Sequence, residues 1–134
     1  MRLHRALLFA ILAFSFAPAI VSATRAIEIS EAKLGKGVKD RMIVDEATTF
    51  AVNDRVYLWM KITGGPSDPI RVTWKTEDFS ESDTDLTIDG DPWRTWSYKT
   101  VFKAGDWTVT VTDNAGAVLK ELKFTVSAPS RESL

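Results

Sequence analysis

The chain is predicted to be all-β: an antiparallel immunoglobulin-like β-sandwich of about seven strands, preceded by a cleaved signal peptide. Three observations predict it. Val56, Leu58, Met60 and Ile62 alternate with Tyr57, Trp59 and Lys61, the period-two pattern of a half-buried strand. Clusters of Gly, Pro, Asp and Asn recur at short spacing, at 64–69, 89–92 and 113–116, as they do between the strands of a sandwich. Trp93, Trp96 and Trp107 fall within fifteen residues of strand-like sequence, and a small domain closes around such large apolar side chains.

The N-terminus reads as a targeting device. Arg2 and Arg5 precede an apolar run from Ala6 to Ile20, and Val21-Ser22-Ala23 supplies the small residues before a cut. Cleavage after Ala23 is expected, leaving 24–134 as one domain with a core over about 27–126. The apolar run is shorter than the roughly 20 residues of a spanning helix, so no stable membrane insertion is expected after cleavage. Without Arg2 and Arg5, fifteen basic residues face eighteen acidic ones, a net charge of about −3. That balance argues against a nucleic-acid partner.

The sequence has no cysteine, and its one histidine, His4, departs with the leader. No disulfide staples the fold. The usual zinc, copper and haem ligands are absent, as are the commonest general base and the thiolate nucleophile. No catalytic residue, metal or cofactor is therefore assigned, and the chain is expected not to be an enzyme.

Ile27 and Ile29, alternating with Glu28 and Ser30, open the domain as a first strand, and Gly35-Lys36-Gly37 is expected to break it. Met42-Ile43-Val44 and Thr48-Thr49-Phe50 read as short pieces along a sheet edge, and Lys33, Lys36, Lys39 and Arg41 as a solvated rim. A strand over 56–62 turns at 64–69 into Ile70, Val72 and Trp74, expected to pair antiparallel with it. Leu86 and Ile88 mark a short strand inside the acidic stretch 77–91. Trp93 to Phe102 is a strand long enough to bulge midway. Gly105 then leads into Trp107, Val109 and Val111, the turn 113–116 closes a hairpin, and the strand through Val118, Leu122, Phe124 and Val126 ends the domain. A frayed tail follows from Ala128.

Trp93-Arg94-Thr95-Trp96-Ser97, the run from Gly105 to Gly116, Phe124-Thr125-Val126, and 56–65 with 72–74 resemble a bacterial family, domain of unknown function 2914. The likeness spans roughly 27–126 and implies an envelope-associated β-rich module with no activity to carry over.

Several constellations compete for function. The acidic stretch and the Asp113-Asn114 turn offer oxygen ligands but match no calcium loop. Asp83/Asp85 and Asp89/Asp91 lack the cleft that a glycosidase pair needs, and Ser97 with Lys99 lacks an oxyanion hole. The aromatics say more. Trp74 and Trp107 share the parity of Val72 and Val109 and belong to the core, while Tyr57 and Trp59 fall on the opposite parity and are expected to face out. With Arg71 and Lys75 from the next strand, and Arg94 and Trp96 from the tryptophan-rich one, they form the candidate binding set; the competing reading is that all five tryptophans serve packing or cover a sheet edge. The expectation is a non-catalytic exported module, periplasmic or secreted, engaging an envelope protein partner. A carbohydrate or cell-wall glycan is the alternative.

Overall fold

The computed structural model describes residues 26–77 and 82–129. Among them lie nine strands and no helix: β1 (Glu28–Lys39), β2 (Met42–Glu46), β3 (Thr49–Ala51), β4 (Arg55–Thr63), β5 (Ser67–Thr76), β6 (Ser82–Ile88), β7 (Trp93–Thr100), β8 (Gly105–Thr112) and β9 (Val118–Ser127). They form two sheets, one of order β2-β1-β4-β7 and one of order β3-β9-β8-β5-β6. The leader and its cleavage site lie outside the described residues, as does the end of the tail.

The two sheets share one core. Val56, Leu58, Met60 and Ile62 of β4 meet Ile70, Val72 and Trp74 of β5, Trp107, Val109 and Val111 of β8, and Phe124 and Val126 of β9. These are the apolar parities read from the sequence, each strand turning one face inward. The aromatic centre is built by β3, β5, β8 and β9. Trp107 stacks on Phe124 at 6.1 Å, and Trp74 and Phe50 meet Phe124 edge-on at 6.0 and 5.6 Å.

Two pairings differ from expectation, one of them the parallel pairing of β3 with β9 in a sandwich expected to be antiparallel. β4 and β5 do not pair. The turn after β4 carries the chain from one sheet to the other, so β4 lies between β1 and β7 while β5 lies between β8 and β6. In addition, β7 runs beside β4 for eight residue pairs without a register shift, from Arg55↔Thr100 to Ile62↔Trp93. It ends at Thr100 with no bulge. β2 and β3 do lie at sheet edges, as the short segments suggested.

The Gly35-Lys36-Gly37 sequence does not end β1, which continues through it into a hairpin with β2. The turn is made by Asp40 and Arg41, at φ 51° and 63°, the paired left-handed geometry of a two-residue hairpin loop. A side chain on Gly35 would stand 2.7 Å from Ile43 Cγ1 and 2.7 Å from the Val44 carbonyl oxygen. Glycine is what lets the two strands approach there.

Candidate functional site

The outer face of the first sheet is built by alternation. Val56, Leu58, Met60 and Ile62 point into the core, so Arg55, Tyr57, Trp59 and Lys61 point away from it. The register sets these against the outward residues of β7: Arg55↔Thr100, Tyr57↔Tyr98, Trp59↔Trp96 and Lys61↔Arg94. Directly opposed side chains on one face lie close enough to touch, and here two successive aromatic pairs lie between cationic ends.

At one end, Tyr57 and Tyr98 meet with ring centroids 5.3 Å apart. The Arg55 guanidinium lies 4.6 Å from the Tyr98 centroid, within the range of a cation–π contact, and Arg55 Nη1 donates to the Tyr57 hydroxyl at 3.4 Å. That hydrogen bond is the main cause that raises the Arg55 pKa above its ordinary value. At the other end Arg94 and Lys61 stand side by side. Trp96 is 37% exposed and Tyr98 53%, so these rings are presented to solvent.

Trp59 is different. It lies on the same parity yet is only 1% exposed. Its indole N–H donates to the Arg41 carbonyl oxygen at 2.8 Å. In register Trp59 faces Lys33, eight residues before Arg41, and eight extended residues span roughly 26 Å. The contact therefore requires the β1–β2 hairpin to curl back over the sheet and cover the indole. The expectation that Trp59 faces solvent is corrected: a remote segment buries it. The rim Lys33–Arg41 is in part this cover.

The candidate set divides between the sheets. Tyr57, Arg94 and Trp96 come together on the face just described. Arg71 and Lys75 stand on the outer face of the other sheet, because β5 is not the neighbour of β4. There Arg71 Nε donates to Asp85 Oδ1 at 3.0 Å, and Asp85 raises the Arg71 pKa. The neighbouring Thr73 hydroxyl donates to Asp83 Oδ1 at 2.8 Å. Arg55 and Tyr98 complete the face on the first sheet and were missed. Their signal was present: Tyr98 shares the parity of Arg94 and Trp96, and Arg55 that of Tyr57.

The other constellations take structural places. Asp113 Oδ1 accepts from the Ala115 and Ala117 amides, both at 2.9 Å, within its own turn. Among the described residues no group of three or more His, Cys, Asp or Glu is placed to hold a metal. Ser97 is 7% exposed on the inward side of β7, opposite Leu58. A groove of about 600 Å³ beside β8 and β9 is lined by Thr49, Lys75, Asp106, Thr108, Lys123 and Thr125, among others. Trp107 and Phe124 border it, but both are 3% exposed and offer it no stacking face.

A family model described as protein of unknown function, DUF2914, matches residues 67–126, from β5 into β9. The match takes in Arg94, Trp96 and Tyr98 and leaves out Arg55 and Tyr57. No curated protein matches the chain.

Proposed function

We propose that the chain, whose residues 67–126 match the DUF2914 family model, is an exported, non-catalytic interaction module on an immunoglobulin-like sandwich. It engages a polypeptide partner of anionic character through the outer face of β4 and β7. The observation that carries this reading is the exposure of Trp96 and Tyr98 beside Arg55, Lys61 and Arg94. Aromatic and arginine side chains are the groups that dominate binding energy at protein interfaces. β4 and β7 contain no aspartate or glutamate; Glu31 of β1 stands opposite Lys61, but Arg55 and Arg94 leave the β7 side of the face cationic, which steers an acidic partner towards it. The absence of cysteine, and of histidine beyond His4, supports binding over catalysis. Export rests on the leader-like N-terminus.

The experiment is a chemical-shift titration of the purified protein with polyglutamate, polylysine and neutral dextran. Polyglutamate is expected to shift Arg55, Arg94, Tyr98 and the Trp96 indole. Shifts centred on Arg71 and Lys75, or a response to dextran alone, overturn the reading.

A further inference from the structure

The aromatic and cationic face ends at an open strand edge. Among the described residues β7 is the last strand of its sheet, with β4 on one side and no strand on the other. Immediately beyond β7 the ladder with β4 continues, the Val101 N–H donating to the Asp54 carbonyl oxygen at 3.0 Å. Backbone groups alternate in direction along a strand. Trp93, Thr95, Ser97 and Lys99 therefore aim their amides at β4, whereas Arg94, Trp96, Tyr98 and Thr100 aim theirs at the open side. The residues whose backbone is free to pair are thus the ones whose side chains form the binding face.

Edge strands are commonly blunted by proline, by a bulge or by a charge on the inward parity. β7 contains no proline, and its register against β4 is unbroken. Its one charge on the inward parity is Lys99, near the C-terminal end. Among the described residues, the amides and carbonyls of Arg94, Trp96 and Tyr98 on the open side have no strand to pair with, and they form a template of donors and acceptors. The charge on this template is of one sign, since Arg94 lies on it, Lys61 and Arg55 lie on the neighbouring strand, and neither strand carries an acid. A second copy of β7 laid alongside would bring its own Arg94 and Lys99 to an already cationic sheet.

We propose that β7 accepts an extended acidic segment of a partner polypeptide as an added antiparallel strand, its carboxylates on the outer face beside Arg94 and Trp96. This deepens the function proposed above and rests on it: the side-chain face supplies charge and stacking, and the open edge supplies main-chain hydrogen bonds. In an antiparallel pair, residues that exchange hydrogen bonds point their side chains to the same side. The outward, acidic residues of the added strand are therefore the ones whose amides bond to β7.

The test uses a blocked octapeptide of alternating glutamate and threonine with the purified protein, measured by calorimetry. Two isomers carry N-methyl groups, one on the glutamate amides and one on the threonine amides. The unmodified peptide and the threonine-methylated isomer should bind alike. The glutamate-methylated isomer should lose about tenfold or more in affinity, because its donors to β7 are gone. Arg94→Glu should weaken the acidic peptide about tenfold and favour a lysine–threonine counterpart. Equal binding of all three acidic peptides, or none, overturns strand addition, and loss on threonine methylation overturns the antiparallel arrangement. Sedimentation of the protein alone as a dimer overturns the choice of occupant. The function proposed above fails separately, when polyglutamate leaves the face unshifted.

Discussion

The Trp59 indole N–H donates to the Arg41 carbonyl oxygen at 2.8 Å, which ties the middle of β4 to the tip of a hairpin that begins on the neighbouring strand. This bond accounts for an outward-parity tryptophan that is almost wholly buried. Trp59→Ala should therefore destabilise the protein by about 3–5 kcal/mol, as core truncations of large side chains do. Trp59→Phe keeps most of the packing and should cost less, although it leaves the Arg41 carbonyl without this donor. Denaturant unfolding of the two variants checks the order.

The close approach at Gly35 makes a related prediction. A methyl there meets Ile43 and the Val44 carbonyl at 2.7 Å, tighter than van der Waals contact permits. Gly35→Ala should loosen the hairpin from the sheet, seen as faster hydrogen exchange at the Trp59 indole and through β2. Unchanged exchange would mean that the hairpin absorbs the side chain without moving.

Trp74 and Trp107 lie in one aromatic cluster but differ in a single bond. The Trp107 indole N–H donates to the Lys103 carbonyl oxygen at 2.9 Å, while the buried Trp74 Nε1 has no acceptor among the described residues. Replacing an indole by phenylalanine removes similar volume in both places. Trp107→Phe should nonetheless cost more than Trp74→Phe, by about 1 kcal/mol, since only the former breaks a hydrogen bond. Equal costs in thermal unfolding would contradict this.

Arg71 and Asp85 pair on the face opposite the proposed binding surface, with both side chains more than half exposed. The pair raises the Arg71 pKa. A cation whose folded pKa lies above its unfolded value contributes its stability below the unfolded pKa and loses it as pH rises through the folded one. For an arginine that window lies far above neutrality. Arg71→Ala should leave the pH profile of melting between about pH 6 and 9 unchanged, and polyglutamate binding as well.

Much of this fold was legible because alternation is local. The inward residues of β4, β5 and β8 can be read directly from their parity, and so can Arg94, Trp96 and Tyr98 as a single face. Pairing is not local. The turn 64–66 gives no sign that it crosses between sheets, so Arg71 and Lys75 were joined to Tyr57 across a contact that does not form. The fate of Trp59 depends on the hairpin eight residues beyond its register partner, and parity within β4 carries no trace of it. The glycines at 35 and 37 were the available hint: they read as a break, whereas the backbone uses Gly35 for close approach and continues as strand.

The central claim is that Trp96 and Tyr98 serve binding while Trp59 serves packing. The most direct measurement is Trp96→Ala, assayed in parallel for polyglutamate affinity and for unfolding free energy. The account predicts a stability loss clearly smaller than that of Trp59→Ala, since Trp96 is 37% exposed and Trp59 1%, with affinity reduced about tenfold. Unchanged affinity, or a loss of stability as large as that of Trp59→Ala, would contradict it.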